Sequence, residues 1–270
     1  MKPRNLFGVQ ARLLLLVGVS VLPFLFFTLY SAAQRRADEL ENVHDNAMAL
    51  ARQVAAEQSQ ILGHTRQWML GVALSHDSAG DPLLRSDCER RMRILLQSYP
   101  LYSQVSIADP RGNVVCTGKP LPVPVNIADR DYFRLAVETR GFALSNAIVG
   151  RATGRRTIVA AQALVDGKQK ILGVLLAALD LDWVQRLLSR VKLPSGAVVS
   201  LIDAEGTIYA RFPDPESFTG RTIPDVEGFK RKTASVSEGY AEVRGLDGIE
   251  RIVAYAQLTS WPGAREYVRI

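Results

Sequence analysis

Histidine and cysteine are scarce in this sequence, and their scarcity excludes several kinds of active site. Three histidines and two cysteines occur among 270 residues. The histidines, His44, His64 and His76, are too far apart for the i, i+4 pair of a helical metal site. No histidine follows residue 76, so the rest of the chain offers no Ser-His or Cys-His pair. We therefore expect no catalytic residues, no metal and no cofactor.

Concentrated positive charge is also missing, although the net charge is +6. Lysine and arginine are scattered along the chain, and no basic block carries the interleaved aromatics that grip nucleic acid. We therefore expect no nucleic-acid partner. Apolar residues make up 47% of the chain, which predicts that most of it is folded.

A long uncharged apolar run, LLLLVGVSVLPFLFFTLY, occupies residues 13–30. A helix of this length spans about 27 Å, close to the thickness of a membrane's hydrocarbon core. A cleaved signal peptide is the alternative, because Ser31-Ala32-Ala33 resembles a cleavage site, but the run is long for one. We favour a transmembrane helix over 13–32, with residues 1–12 in the cytoplasm by the positive-inside rule.

A long helical pattern follows, from about residue 34 to 75. No proline or glycine interrupts residues 34–62, and apolar residues recur at a narrow heptad spacing. Such a helix must bury its stripe, either on its own domain or on a second copy of the chain. The residues of the stripe are Leu40, Val43, Ala47, Leu50, Val54, Ile61 and Trp68.

The remainder contains an internal repeat. VSIADPRGNVV at 105–115 matches VSLIDAEGTIY at 199–209, and IVAAQAL at 158–164 matches IVAYAQL at 252–258. Both pairs have the same offset, since 199 − 105 and 252 − 158 are each 94. Matches in order at a constant offset predict that one α+β unit occurs twice.

The first matched pair predicts a β-hairpin in each unit. Asp109 and Asp203 would open the turns, and Gly112 and Gly206 would accept positive φ. A helix is expected over 131–139 in the first unit, and a long apolar strand over 170–184 closes it. The counterpart of that strand would begin near residue 264. We therefore expect that the second unit lacks most of its last strand, and that the chain is a fragment.

These features resemble the double Cache (dCache, formerly PDC) sensor region of bacterial membrane receptors. The most specific pieces are DRDYF, GRATGRRTIVAAQALVD, GVLLAALDLDWV and SLIDAEGTIYARFPDP. The resemblance implies an α+β fold: a transmembrane helix and a long stalk helix, then two tandem PAS-like units with antiparallel sheets. The implied boundaries are 34–96 for the stalk and connection, 97–190 for the membrane-distal unit and 191–270 for the membrane-proximal unit, called the distal and proximal units below.

The resemblance also implies a function. In that family the distal unit binds the ligand, and the chain re-crosses the membrane into a histidine kinase, a diguanylate cyclase or a chemotaxis module. No signature of these outputs occurs here. We expect a sensor region in the bacterial inner membrane, single-pass in this stretch and mostly periplasmic, that pairs as a homodimer through its stalk. A membrane-anchored solute-binding protein or an enzyme accessory domain is the alternative.

The ligand site is expected within residues 126–164. Arg130 offers a planar fork for a carboxylate, and Tyr132 and Phe133 offer flat apolar walls. Ser145 and Arg151 complete the predicted site, with Arg151 as the second anchor. A surface charge remains the alternative for Arg130, as plain core packing does for the two aromatics.

Two departures from the family bear on the ligand. Its amino-acid-binding members carry Arg-x-Trp-Tyr where this chain has Arg130-Asp131-Tyr132-Phe133. They also carry an aspartate, which takes the amino group, where this chain has Ala178; Asp180 lies two residues further. The resemblance therefore favours a small organic anion without an amine.

The two cysteines, Cys88 and Cys116, leave two possibilities. Outside the cytoplasm they could form a disulfide. The sequence does not say whether they meet, and we favour two separate residues.

Overall fold

The computed structural model describes residues 9–76, 85–258 and 267–269. The chain divides into two parts, Met1–Asn46 and Ala47–Ile270. Helix α1 runs over Val9–His76, and the second part contains its later half and every other element given below. Within the described residues, no helix combines the length and the hydropathy needed to cross a membrane. The predicted transmembrane helix at 13–32 is therefore not confirmed.

The distal unit is built on a six-stranded antiparallel sheet. Its strand order is β2-β1-β6-β5-β3, with the short β4 also paired to β5. Helix α3 packs on this sheet, and α4 leads out of it. The elements are α2 (Arg85–Ser98), β1 (Tyr102–Ala108), β2 (Val114–Thr117), α3 (Asp131–Thr139), β3 (Phe142–Leu144), β4 (Ile148–Val149), β5 (Arg156–Val165), β6 (Ile171–Asp180) and α4 (Leu181–Leu188).

The proximal unit repeats this arrangement. Its sheet has the order β8-β7-β11-β10-β9, which matches β2-β1-β6-β5-β3 strand for strand. The predicted α+β repeat with antiparallel sheets is therefore confirmed. The elements are β7 (Val199–Ile202), β8 (Ile208–Phe212), α5 (Pro215–Phe218), α6 (Val226–Ser235), β9 (Glu238–Arg244), β10 (Glu250–Gln257) and β11 (Tyr267–Arg269). Strand β11 has three residues where β6 has ten, yet it takes the central position between β10 and β7.

Both predicted hairpin turns form. Gly112 and Gly206 have φ angles of 82° and 81°, and the Asp109 and Asp203 carboxylates accept backbone N–H groups within their turns. The first turn has little space, because a Cβ added at Gly112 would lie 2.5 Å from the backbone nitrogen of Ala128. The turn thus supports the loop that leads into α3.

The later part of α1 packs on its own domain. Its buried residues join one hydrophobic cluster with both sheets, including Val105 and Leu164 of the distal unit and Leu201 of the proximal unit. Most residues of the buried stripe lie one position after a residue of the predicted stripe. Val43, which belongs to the predicted stripe, is exposed. Its members are Met48, Ala51, Val54, Ala55, Gln58, Leu62, Thr65 and Met69.

The predicted end of the last distal strand and the predicted separation of the two cysteines were wrong. The last distal strand does not extend to 184 but ends at Asp180, whose carboxylate accepts a hydrogen bond from the Asp182 N–H at 2.9 Å and caps α4. Cys88 and Cys116 are not separate residues but form a disulfide between α2 and β2. Their Cα atoms lie 6.1 Å apart, because α2 packs directly against β2.

Candidate functional site

The predicted site lies where α3 covers the distal sheet. Tyr132 and Phe133, on the first turn of α3, are 7% and 5% exposed. They pack in an apolar cluster with small residues of the sheet, among them Ala143 and Ala161. Because these sheet residues have small side chains, the two aromatic rings fill the space between α3 and the sheet. Both aromatics thus form part of the core between α3 and the sheet, as the packing alternative expects.

Arg130 occupies the N-cap position of α3, but its side chain does not cap the helix. Its Nε is buried and has no hydrogen-bond partner. A buried N–H without an acceptor costs about 1–3 kcal/mol, so such groups are rare in folded proteins. The unpaired Nε, together with the uncapped first turn of a nine-residue helix, makes this end of α3 suited to an anion.

Arg151 joins the turn after β4 to the loop before α3. Its Nη1 and Nη2 donate to Oδ1 and Oδ2 of Asp129, both at 2.9 Å, and Nη1 also donates to the Asn126 carbonyl at 2.5 Å. This fork-to-fork pairing raises the pKa of Arg151 and lowers the pKa of the Asp129 carboxyl. Arg151 is therefore close to the predicted site, but its guanidinium is already engaged.

The Tyr132 hydroxyl interacts electrostatically with Arg130, Arg151 and Asp129. Burial raises the pKa of its phenol, and the charges of Arg130 and Arg151 lower it by smaller amounts. The phenol therefore stays protonated at neutral pH and can donate a hydrogen bond. Arg130, Arg151 and Asp129 together carry one excess positive charge, which matches a monoanion.

Ser145 is held by the backbone. Its hydroxyl donates to the Asn146 carbonyl at 2.7 Å and accepts from the Val159 N–H at 2.8 Å. The side chain thus fastens the end of β3 to β5. Its one hydroxyl proton is used in this arrangement and cannot be donated to a ligand at the same time. Ser145 therefore contributes to the wall of the predicted site rather than to a hydrogen bond with the ligand.

The position of the family's amine-binding aspartate is also defined. Ala178 lies on β6 opposite Val159, partly buried at the edge of the cluster that contains Tyr132 and Phe133. Asp180 caps α4, and its carboxylate lies 3.7 Å from Arg155. Neither residue places a free carboxylate beside Arg130.

Asp129 was not among the predicted site residues. Its partner Arg151 lies 22 residues away, and the pair exists because the β4–β5 turn folds back over the loop before α3. In the described residues no group of three or more His, Cys, Asp or Glu side chains is placed to hold a metal ion.

Comparison with known proteins agrees with this architecture. The family model for the Cache domain matches residues 31–262, and the chain belongs to that family. Cache domains are ligand-binding sensor regions of receptors and are not catalytic, so this region is not an enzyme.

One curated relative is sporulation kinase D of Bacillus subtilis (strain 168). It is 24% identical over 166 residues, which cover 60% of this chain. The match covers 29% of the kinase, so this chain spans less than a third of its length.

Solved structures share the fold. An extracellular domain assigned to histidine kinase rpHK1S-Z16 has a TM-score of 0.73 at 19% identity, covering 86% of this chain and 95% of that one. The ligand-binding domain of the Pseudomonas aeruginosa PAO1 amino acid chemoreceptor PctC, in complex with GABA, has a TM-score of 0.65 at 14% identity, covering 84% and 98%. The ligand-binding domain of the Pseudomonas fluorescens chemoreceptor CtaA, in complex with L-serine, has a TM-score of 0.61 at 19% identity. The match covers 85% of this chain and 96% of that one.

Proposed function

We propose that this chain is the ligand-sensing region of a signal-transduction receptor, and that its distal unit binds a small organic anion at Arg130. The observation that carries the proposal is the buried Arg130 Nε without a partner. A carboxylate oxygen placed there would satisfy this N–H with a charge-assisted hydrogen bond. Binding would recover the free energy that the unpaired N–H costs.

The neighbouring groups favour the same ligand. The protonated Tyr132 phenol can donate a second hydrogen bond, and the uncapped amides of α3 favour negative charge. Arg151 is the second anchor in this proposal, but it must share its guanidinium with Asp129 or exchange partners. Phe133 forms the apolar floor and Ser145 orients the wall.

The proposed ligand lacks an essential amine. A ligand ammonium needs a carboxylate, and Ala178 offers only a methyl group. Asp180 is engaged as a helix cap, and Asp129 is engaged by Arg151. PctC and CtaA are solved with GABA and L-serine, both of which also carry a carboxylate. The carboxylate is the part of the ligand that we carry over to this chain.

The relatives supply the cellular setting of the proposal, since they are regions of a sporulation kinase, a histidine kinase and chemoreceptors. In this setting residues 13–32 anchor the chain in the inner membrane and the Cache units lie in the periplasm. The stalk would pair with a second copy. A cytoplasmic output module outside this chain, of the histidine kinase, diguanylate cyclase or chemotaxis type, would receive the signal.

A thermal-shift screen tests the ligand proposal. The whole chain is screened against organic acids, amino acids and the deaminated analogue of each amino acid. We expect a carboxylate to raise the melting temperature of the wild type and to lose that effect in Arg130→Gln. A best ligand that binds Arg130→Gln as tightly as the wild type would show that Arg130 is not the anchor.

A reporter fusion tests the cellular setting. Alkaline phosphatase joined after Ile270 should be active in intact bacteria, because that enzyme folds only after export. An inactive fusion with normal expression would contradict the periplasmic location, and it would leave the ligand site untouched.

A further inference from the structure

A second arginine repeats the unusual feature of Arg130. Among the side chains that the structure describes, the buried nitrogen atoms without a hydrogen-bond partner are Arg130 Nε and Arg211 Nε, one in each unit. Arg211 lies on β8 and is 9% exposed. Its backbone is fixed by Gln185, which accepts from the Arg211 N–H at 3.0 Å and donates to its carbonyl at 2.6 Å. The side chain therefore has a defined position but an unsatisfied donor.

The charge of Arg211 is only partly compensated. Its Nη2 lies 3.6 Å from Oδ2 of Asp247, which is beyond hydrogen-bond distance. The other oxygen of Asp247 accepts from Arg251 Nη1 at 2.8 Å, so one carboxylate serves two guanidinium groups. The guanidinium carbon of Arg211 also lies 4.0 Å from the ring centre of Phe218. This contact stabilises a cation but leaves Nε free.

A cavity of about 60 Å³, called the proximal cavity below, adjoins Arg211. Its lining includes three arginines, Arg211, Arg244 and Arg251, and no carboxylate. Most of the rest of its wall is apolar, with Val243 on β9 and Val253 on β10. A second cavity of about 330 Å³ lies under α6; it shares Val243 and Val253 with the first and is also lined by Asp225, Glu242 and Lys232. A ligand in the proximal cavity can therefore place a charged group against Arg211 and an apolar chain along Val243 and Val253.

The open space has a structural cause. In the distal unit, Tyr132 and Phe133 fill the volume between α3 and the sheet. Counted from its N-cap Asp225, the matching helix α6 carries Glu227 and Gly228 where α3 carries Tyr132 and Phe133, and its Phe229 is only partly buried. The described core on this face is confined to Ile202, Ile208 and Ile223, with partly buried residues around them. The two units thus have the same fold, and the proximal one is less filled.

We propose that the proximal cavity is a second ligand site, which binds a short-chain organic carboxylate with its head group on Arg211 Nε and its carbon chain along Val243 and Val253. Charge, burial and shape support the same class of ligand. An inorganic anion would satisfy Arg211 but leave the apolar wall uncovered, and a neutral ligand would leave unbalanced the charge that Arg211 and Arg251 share over the single carboxylate of Asp247. This inference goes beyond the proposed function and does not depend on binding at Arg130.

Fluorine NMR with 4,4,4-trifluorobutyrate as the probe tests the proposal. The whole chain is used with Arg130→Gln already introduced, so that the distal site does not contribute. We expect the probe signal to broaden on binding, and butyrate to compete while phosphate and butanol do not. Adding Arg211→Gln should weaken binding roughly tenfold or more, as expected for loss of a charge-assisted hydrogen bond.

Two further variants make the result decisive. Val243→Phe leaves Arg211 in place and fills the cavity, so it should abolish binding even if Arg211→Gln fails to fold. Arg221→Gln is the matched control, because Arg221 contacts Phe218 at 5.8 Å but does not line the cavity. It should bind the probe like the parent. Absence of binding in the parent, equal binding in Val243→Phe, or competition by phosphate as strong as by butyrate would overturn the proposal.

Discussion

Arg151 holds both carboxylate oxygens of Asp129, with two N–O distances of 2.9 Å. The pair joins the β4–β5 turn to the loop before α3, beside the proposed distal site. Because Arg151 is bound to Asp129, the proposed site is organised around Arg130, whose Nε is unpaired. Arg151 can contribute to a ligand only as far as Asp129 releases it.

The ion pair predicts a shifted titration of Asp129. Arg151 lowers the pKa of this carboxyl below its usual value of 3.8, so the pair contributes stability at neutral pH and loses that contribution as the pH falls through the lowered pKa. An NMR titration should give a midpoint below 3.8 in the wild type and a return towards 3.8 in Arg151→Gln. Arg155→Gln changes a neighbouring arginine that does not contact Asp129 and should leave the midpoint alone. A midpoint that Arg151→Gln does not move would contradict the pairing.

A chain of hydrogen bonds joins α1 to β1. The Trp68 Nε1–H donates to the Tyr102 hydroxyl at 2.8 Å, and that hydroxyl lies 2.7 Å from Thr65 Oγ1. Thr65 uses its own proton on the Ile61 carbonyl, so Tyr102 must donate to Thr65. Burial raises the pKa of Tyr102, which keeps this proton in place.

Tyr102→Phe should therefore destabilise the domain by about 1–3 kcal/mol, because the partly buried Trp68 N–H loses its acceptor and Thr65 loses its donor. Urea unfolding measures the change. Tyr99→Phe is the control, since Tyr99 also stacks on Trp68 but is 37% exposed, and it should change stability by less than about 0.5 kcal/mol. Equal effects of the two variants would show that the buried hydroxyl has no special role.

The disulfide between Cys88 and Cys116 should contribute to stability mainly by restricting the unfolded chain. The two residues are separated by 28 positions, and a loop of this size corresponds to about 3–4 kcal/mol. The double variant Cys88→Ala/Cys116→Ala should unfold at a correspondingly lower urea concentration. Reductant should destabilise the wild type and leave the double variant unchanged. A wild type that is insensitive to reductant after unfolding and refolding would contradict this account.

Position 178 should control whether the distal site prefers an amine. Ala178→Asp places a carboxylate at the edge of the site and should shift the preference from a deaminated acid towards the matching amino acid. Calorimetry on both ligands measures the ratio of affinities. Asp180→Asn retains the helix cap and should not change that ratio. A wild type that already prefers the amino acid, with the preference lost in Asp180→Asn, would assign the amine to Asp180.

The repeated fold could be predicted because its signals are local. An aspartate and a glycine three residues apart define each hairpin turn, and the required φ angles are present at Gly112 and Gly206. The position of β6 was predicted, but its end was not. Asp180 was treated as part of a strand, although it is followed by Leu181 and Asp182 in a pattern that also suits a capped helix.

The packing of α1 was harder to predict. Its buried stripe contains Gln58 and Thr65, two polar residues at inward positions, so a search for apolar residues chose a neighbouring stripe. Thr65 is inward because it bonds Tyr102, a residue 37 positions away. Contacts between distant parts of the chain decided this register, and hydrophobic spacing alone does not contain them.

The two proposed ligand sites also depend on contacts between distant parts of the chain. Arg130 was predicted as an anchor from its neighbours in sequence, but its unpaired Nε depends on the tertiary fold. Arg211 was missed, although an arginine within the strand IYARF was an available signal. Its partner Asp247 lies in another hairpin, 36 positions further along the chain. The disulfide was missed for the same reason.

The most direct test of the account is calorimetric titration of the strongest carboxylate from the screen into the wild type, Arg130→Gln and Arg134→Gln. Arg134 lies on the same helix, is exposed and pairs with Asp131, so its variant is a matched control. The account predicts binding that is at least about tenfold weaker in Arg130→Gln. It also predicts unchanged binding in Arg134→Gln and an unliganded melting temperature in Arg130→Gln close to that of the wild type. Equal affinity of all three proteins for the carboxylate would contradict the central claim that Arg130 anchors the ligand.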